Sequence, residues 1–259
     1  MLHPQLDWDY EFLKNNPVLK EDSYGIPASI KHIHYPIRLV RYWFMYHFLR
    51  VETERQGRPL EVCEIGVDVG QMLGFMHAAA ANGGAKIDFA AWEAVDAIVR
   101  KEILEPVGYN HFYEVDLESP QFKLDKGRRY DAMILLHVLE HLFEPEKLIG
   151  KLAPHLKPGG MMIGGFPSTP EFYAAKREAK IRPGQRKYGH VSVFSRQRVE
   201  RMARANGLEV EFLSGAFFMR KKGFFLENFG WWYRFNLWFG ALFPEWPGEL
   251  YFVLRKPLK

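Results

Sequence analysis

The feature that most constrains the fold is the alternation, from residue 60 onward, of short apolar runs with helix-like segments. Strands that alternate with helices build βαβ units, whose strands pair in parallel. We therefore predict an α/β fold with a Rossmann-like, seven-stranded, mostly parallel sheet, helices on both faces and an antiparallel last strand. The predicted strands are 60–65, 87–92, 111–115, 130–136, 161–166, 208–218 and 250–255.

Two segments lie outside this alternation and divide the chain. Residues 1–59 are predicted to form a helical extension or lid, in which Pro36 opens a helix, and residues 60–259 form the α/β domain. An aromatic insertion, about residues 219–247, precedes the last strand, and its centre, residues 224–243, carries only two charges. Such a segment suits a cap over a pocket, a homodimer contact or a peripheral membrane contact.

Composition excludes several classes of protein. A hydrophobic fraction of 47% excludes wholesale disorder, and a net charge of +4 is too mild to indicate a nucleic-acid partner. The single cysteine, Cys63, excludes an intramolecular disulfide and a Cys-rich zinc site. The sequence shows no signal-peptide core and no apolar stretch of spanning length. We expect a cytoplasmic protein, either free or peripheral at the inner face of the membrane.

A glycine loop, Glu64-Ile-Gly-Val-Asp-Val-Gly70, stands directly between the first predicted strand and a helix predicted over residues 71–81. Glycines allow a tight turn and a close approach of the backbone to a ligand. Asp68 stands where a dinucleotide fingerprint has its middle glycine, and the lysine of a phosphate-binding loop is missing. The acids favour a ligand that carries positive charge and hydroxyl groups.

Further acids follow the next two predicted strands. Glu93 comes directly after the second strand, 23 residues beyond Gly70, where a carboxylate can accept both hydroxyls of a ribose. Asp116 and Leu117 follow the third strand, where such a pair could accept an adenine amino group and cover its ring. The ordered series predicts a nucleoside site.

With these blocks the chain resembles the class I S-adenosylmethionine-dependent methyltransferases, particularly the branch whose fourth strand runs into a His-x-Leu-Glu-His segment. Four blocks, residues 64–70, 130–142, 156–160 and 189–195, carry the resemblance, which covers about residues 60–255. It implies S-adenosylmethionine as cofactor, with Gly66 and Gly70 along its methionine moiety and His137 near its sulfonium. The residues thereby predicted to bind the cofactor are Glu64, Gly66, Gly70, Glu93, Asp116, Leu117 and His137.

The histidines admit two interpretations. His137-Val-Leu-Glu140-His141 matches the H-x-x-E-H motif of inverted zinc peptidases, but it follows a buried strand and leads into a Lys-Pro-Gly-Gly turn, so we expect no metal. In a methyltransferase an alcohol acceptor benefits from a base, and histidine titrates in the right range. His137 and His190 are therefore the predicted catalytic residues, and His141 is expected to tie down a loop.

The acceptor is predicted from the loop after the fifth strand, residues 167–188. Its stretch from Lys176 to Lys187 carries six positive charges and one negative, which suits an anionic acceptor. We expect O-methylation of a small-molecule or glycan-type acceptor, anionic or lipid-linked, with no nucleic-acid partner. The alternatives are a cofactor-binding scaffold without transferase activity and an RNA or protein methyltransferase.

Overall fold

The structure, a computed structural model, describes residues 9–184 and 189–259 and is built on a seven-stranded sheet. The strand order is β3-β2-β1-β4-β5-β7-β6, and β7 runs antiparallel to both neighbours. This arrangement confirms the predicted Rossmann-like, mostly parallel sheet. The strands are β1 (Leu60–Ile65), β2 (Phe89–Asp96), β3 (His111–Glu114), β4 (Tyr130–Leu136), β5 (Leu156–Pro167), β6 (Glu209–Gly215) and β7 (Glu249–Arg255).

Helices surround the sheet, and their ends follow local sequence signals. Gly70, in the left-handed conformation, precedes α2, and the Ser195 hydroxyl accepts a hydrogen bond from the Arg198 N–H at the start of α6. Within the described ranges, no helix is long and apolar enough to span a bilayer. The helices are α1 (Val40–Gln56), α2 (Gln71–Ala81), α3 (Lys101–Val107), α4 (Pro145–Leu152), α5 (Glu171–Ile181), α6 (Arg196–Ala205) and α7 (Gly230–Leu242).

The described part of the N-terminal extension packs into the same hydrophobic core as the sheet. Short 3-10 turns lead into α1, whose residues 40–49 are all buried. The Phe44 ring stacks on Tyr251 of β7 with centroids 4.3 Å apart. A helix that is buried on all sides belongs to the core, and this position brings the first turn of α1 to the sheet edge where β4 and β5 end.

The aromatic insertion forms a 3-10 turn (Phe225–Asn228) and α7. The Glu227 carboxylate accepts a hydrogen bond from the Ile37 N–H at 2.8 Å, and the Glu227 carbonyl accepts one from the Tyr35 N–H at 2.9 Å. The insertion therefore holds the extension just before α1. Its outer surface, the aromatic face, consists of the exposed side chains Phe225, Phe229, Trp231, Trp238, Phe243 and Trp246.

The basic segment after β5, which the sequence predicts to be part of a loop, begins as a helix. Residues 176–181 belong to α5, residues 182–184 form a 3-10 turn, and residues 185–188 lie outside the described residues. Alanine, glutamate and lysine are strong helix formers, which accounts for the helix. Arg177 donates to the Thr169 hydroxyl at 2.6 Å and Arg182 pairs with Glu178 at 2.8 Å, so these two cations interact within the protein.

Candidate active site

A tight turn over residues 66–70 lies at the carboxyl edge of the sheet, directly after β1. Gly66 has a φ of +74°, and a Cβ atom there would lie 2.5 Å from Val138 Cγ2. Gly70 has a φ of +78° and a Cβ would lie 3.1 Å from the Tyr109 ring. Both positions require glycine. The turn therefore packs tightly at the edge where parallel α/β sheets bind ligands.

Asp68 occupies the same turn with a φ of +48°. Aspartate is one of the few residues other than glycine that enter this left-handed region readily. Its N–H donates to Asp96 Oδ2 at 3.0 Å, and its carboxylate accepts from Arg100 at 2.9 Å. Asp68 can therefore replace the usual glycine without disturbing the turn.

Glu64 lies at the base of the turn and is buried. Its Oε2 accepts hydrogen bonds from the Tyr109 hydroxyl at 2.6 Å and the Trp92 indole N–H at 2.9 Å. Burial raises the pKa of Glu64 to about 7. The carboxyl group is thus poised to ionise when a positively charged group binds beside it.

The position of Glu93 contradicts its predicted ribose role. β2 continues to Asp96, so Glu93 lies inside the strand, paired with Cys63 and 1% exposed. Its carboxylate accepts from the Tyr130 hydroxyl at 2.6 Å and pairs with Arg128 at 3.3 Å. Glu93 is therefore a satisfied core acid that a ribose at the strand ends cannot reach.

Asp96 is the acid at the end of β2, and sequence reasoning missed it because the strand was placed too early. Its Oδ2 accepts from the Asp68 N–H at 3.0 Å and its Oδ1 from the Ile98 N–H at 3.2 Å. Asp116 and Leu117 follow β3 nearby, since the Val115 N–H donates to the Asp96 carbonyl at 2.8 Å. The structure thus brings Asp96, Asp116 and Leu117 to the same edge.

A buried carboxylate, Glu249, organises the other half of this edge. Glu249 is the first residue of β7 and is 1% exposed. Its Oε1 pairs with Arg41 at 2.9 Å and with Arg220 at 2.7 Å, and its Oε2 accepts from the Tyr251 hydroxyl. Burial alone would raise its pKa, but Arg41, His137 and Arg220 hold the pKa of Glu249 well below its ordinary value.

His137 follows β4 directly, with a φ of +56°. Its Nδ1 lies 2.9 Å from Glu140 Oε1 and its Nε2 lies 3.4 Å from Glu249 Oε1. Burial alone would lower its pKa, but these two carboxylates raise the pKa of His137 above its ordinary value. The two carboxylates therefore favour the protonated form of His137, which does not fit the predicted role of a proton-accepting base.

Two further cations, Arg38 and Lys222, lie near Arg41 and Arg220, and we call these four side chains the cation cluster: Arg38, Arg41, Arg220 and Lys222. Burial and then the charges of Arg41 and Arg220 lower the pKa of Arg38. Burial and then Arg38, Arg220 and Arg41 lower the pKa of Lys222. This mutual repulsion means that the cluster carries positive charge that Glu249 does not neutralise.

The cation cluster adjoins the glycine turn through Tyr24. Arg38 Nε donates to the Tyr24 carbonyl at 2.7 Å, and the Tyr24 hydroxyl donates at 3.0 Å to the carbonyl of Gln71, the residue after Gly70. The Tyr42 ring packs edge-on against Tyr24 with centroids 5.2 Å apart. Tyr24 thus connects the cation cluster to the glycine turn.

The last group at this edge combines His141 and His190, whose ring centroids lie 4.9 Å apart. The N–H groups of Val191 and Ser192 donate to the Glu140 carbonyl at 2.8 and 3.0 Å and hold the two histidines together. His137 lies outside the 3-10 turn (Leu139–His141), so the segment does not form the helix of a zinc peptidase. His190 thus lies beside His141, which sequence reasoning had left out of the site.

The family model described as "Methyltransferase domain" matches residues 31–212, which is more than half of the chain. The chain belongs to this methyltransferase family. The predicted class is thereby confirmed: the protein is an S-adenosylmethionine-dependent methyltransferase, and S-adenosylmethionine is its cofactor. No curated protein matches the chain.

Solved structures share the fold at low sequence identity. N-methyltransferase NodS from Bradyrhizobium japonicum WM9, in complex with S-adenosylhomocysteine, is 14% identical with a TM-score of 0.52, and the match covers 95% of each chain. A putative sarcosine dimethylglycine methyltransferase from Galdieria sulphuraria is 12% identical with a TM-score of 0.54, over 83% of this chain and 86% of that one. The [4+2]-cyclase SpnF is 16% identical with a TM-score of 0.51, over 83% and 81%.

Proposed function

We propose that this methyltransferase transfers the methyl group of S-adenosylmethionine to an oxygen atom of a small-molecule or glycan-type acceptor that carries an anionic group. The observation that supports this acceptor is the cation cluster, whose charge exceeds that of Glu249 and which adjoins the glycine turn through Tyr24. Guanidinium groups bind carboxylates and phosphates through paired hydrogen bonds.

In this proposal the cofactor occupies the edge formed by the ends of β1, β2 and β3. Asp96 takes over from Glu93 the role of binding the ribose hydroxyls, since it is the carboxylate beside the turn. Glu64 interacts with the ammonium group of the methionine moiety, whose charge favours its ionised form. The proposed cofactor residues are Glu64, Gly66, Gly70, Asp96, Asp116 and Leu117.

The reaction is an in-line displacement, in which alignment of donor and acceptor supplies most of the rate enhancement. The acceptor oxygen forms a bond to the methyl carbon while the bond from that carbon to the sulfonium sulfur breaks. His137, held between Glu140 and Glu249, positions these carboxylates rather than accepting the proton. The proton of the acceptor hydroxyl passes to water beside His141 and His190.

The test compares acceptors that differ only in charge. Full-length protein, S-adenosylmethionine and matched neutral sugars, uronic acids and sugar phosphates are incubated, and S-adenosylhomocysteine formation is measured. We expect turnover of the anionic acceptors, and in Arg38→Gln and Lys222→Gln a KM raised about tenfold, since one charge-assisted hydrogen bond contributes about 1.5–3 kcal/mol. Lys123→Gln, which changes an exposed lysine in the segment between β3 and β4, is the matched control.

Two outcomes contradict the proposal. Equal turnover of neutral and charged acceptors, with no effect of Arg38→Gln or Lys222→Gln, would remove the anionic group from the acceptor. Binding of S-adenosylhomocysteine without turnover of any acceptor pool would favour the scaffold. A cyclase is among the similar folds, so this fold alone does not imply methyl transfer. Turnover, rather than cofactor binding alone, is therefore the decisive measurement.

We also propose that the aromatic face of the insertion contacts an anionic lipid surface. Its exposed indole and phenyl rings suit the boundary between headgroups and acyl chains. Lys221, between two members of the cation cluster, and Arg234 of α7 supply the positive charge that complements anionic lipids. A peripheral position at the membrane would suit a lipid-linked acceptor.

A further inference from the structure

Glu140, His141 and His190 form a group of potential metal ligands beside the proposed acceptor site. One donor atom from each residue lies within 4.8 Å of the other two. The residues come from the 3-10 turn (Leu139–His141) and from the segment before α6. Two backbone hydrogen bonds to the Glu140 carbonyl fix these segments against each other, so the group is built into the fold.

The Glu140 carboxylate has one oxygen that the protein leaves unsatisfied. Glu140 is 1% exposed, and its Oε1 lies 2.9 Å from His137 Nδ1. Across the part of the chain that the structure describes, its Oε2 finds no hydrogen-bond partner although it is buried. A buried carboxylate oxygen without a partner carries a large desolvation cost. A cation bound at Oε2 would remove this cost.

The tautomer of His141 leaves a lone pair available. Its Nδ1 lies 3.2 Å from the Gly189 carbonyl oxygen. A carbonyl oxygen only accepts hydrogen bonds, so Nδ1 carries the proton and Nε2 has the lone pair that can bind a metal ion. Histidines that bind metals commonly orient their second nitrogen in this way. His190 supplies a second imidazole beside it.

We propose that Glu140, His141 and His190 bind one divalent transition-metal ion and leave further coordination positions open. This proposal replaces the expectation, drawn from the sequence, that the protein holds no metal. Two imidazoles and one carboxylate suit Zn²⁺ and other late first-row ions, and three protein ligands are typical of catalytic rather than structural sites. His137 then positions the ligand carboxylate through its hydrogen bond to Glu140 Oε1.

The role of the ion in catalysis rests on the proposed function. A hydroxyl group that occupies an open position would have a lowered pKa. Its O–H bond breaks, the proton passes to water, and the oxygen bonds to the methyl carbon as the carbon–sulfur bond breaks. The products are the methyl ether and neutral S-adenosylhomocysteine.

The test is metal binding to the full-length protein after treatment with EDTA. Co²⁺ is titrated while its visible absorption is recorded, and Zn²⁺ is titrated by calorimetry. We expect one equivalent of each ion per chain. Glu140→Gln, His141→Ala and His190→Ala are expected to weaken binding by well over the roughly 10–100-fold that loss of an outer-shell partner causes.

His155→Ala is the matched control, because His155 lies in the 3-10 turn (Ala153–His155) outside this group, with its Nδ1 3.2 Å from the Arg128 carbonyl. It is expected to leave Co²⁺ affinity unchanged. Calorimetry with S-adenosylhomocysteine on every variant reports whether the fold and cofactor site survive. Absence of saturable binding, or equal Co²⁺ affinity in the wild type and the three ligand variants, would overturn the metal site.

Activity measurements separate the metal proposal from the proposed function. If the ion activates the acceptor, EDTA abolishes turnover and Zn²⁺ or Co²⁺ restores it. Full turnover of a known acceptor by metal-free protein would overturn the catalytic role of the ion while supporting methyl transfer. If the wild-type protein does not bind S-adenosylhomocysteine at all, that result would instead count against the proposed cofactor site.

Discussion

The backbone N–H of Asp68 donates a hydrogen bond to Oδ2 of Asp96 at 3.0 Å. The glycine turn after β1 and the end of β2 are therefore joined through one carboxylate. Asp68 lies before the start of α2 and has a left-handed backbone, with a φ of +48°. This bond places Asp96, and not Glu93, beside the turn.

The first prediction concerns the affinity for the cofactor. Asp96→Ala is expected to weaken S-adenosylhomocysteine binding at least about tenfold, because each charge-assisted hydrogen bond to a ribose hydroxyl contributes about 1.5–3 kcal/mol. Isothermal titration calorimetry measures the effect. Asp88→Ala, which removes an exposed acid that pairs with Lys86, is the matched control. Unchanged affinity in Asp96→Ala would exclude the ribose role.

The second prediction concerns Glu93 and stability. Glu93→Gln is expected to lower the free energy of unfolding by about 1–3 kcal/mol, because a buried carboxylate loses its charge-assisted bonds to Tyr130 and Arg128. Urea denaturation measures this change, and cofactor affinity is expected to stay the same. A stable Glu93→Gln variant with impaired cofactor binding would restore the ribose role to Glu93.

The third prediction concerns protons released when the cofactor binds. Burial raises the pKa of Glu64 to about 7 in the free protein, so the carboxyl group is largely protonated at pH 6. The ammonium group of the cofactor favours the carboxylate and lowers this pKa, so binding releases a proton. By linkage, affinity for S-adenosylhomocysteine then rises about tenfold from pH 5.5 to 7.5.

Calorimetry at pH 6 in buffers of different ionisation enthalpy measures the proton release directly. Glu64→Gln cannot ionise, so it is expected to abolish the release and to flatten the pH dependence of affinity. A wild-type protein that binds S-adenosylhomocysteine without exchanging protons would place Glu64 outside the cofactor site.

The fourth prediction concerns the aromatic face. We expect the protein to float with phosphatidylglycerol-containing vesicles and to bind pure phosphatidylcholine vesicles less, because lipid charge and exposed rings act together. The double variant Trp231→Ser and Trp238→Ser removes two of the exposed indoles and should reduce binding strongly. Phe172→Ser, which removes an exposed ring of α5, is the control. Light scattering that shows a dimer, lost in the double variant, together with no vesicle binding would assign the face to self-association.

Local patterns were sufficient to predict much of the sheet. β1 and β4 have the predicted bounds because each is a mostly apolar run that ends at a turn residue. β2 was placed too early because alanines and an acid at its end weaken the apolar signal. Its true end is set by pairing, since Val95 lies opposite Ile65 and Asp96 lies opposite Glu114.

The acceptor side could not be predicted from local patterns. Arg41, His137 and Arg220 meet at Glu249 although they are far apart in the sequence, and no spacing rule connects them. His137 was correctly placed near the end of β4, but its protonation state depends on Glu249. The sequence predicts an anionic acceptor from the cations of the segment after β5. The proposed function instead assigns binding of the anionic group to the cation cluster.

Glu249 also has a consequence for the order in which the enzyme is assembled during synthesis. The residues of the glycine turn and of the first three strands leave the ribosome early, whereas β7 is the last strand in chain order and inserts between β5 and β6. Until it does, Arg41 and His137 lack the carboxylate that makes their burial tolerable. A nascent chain can therefore form the cofactor side of its site first. It completes the acceptor side only when β7 is inserted.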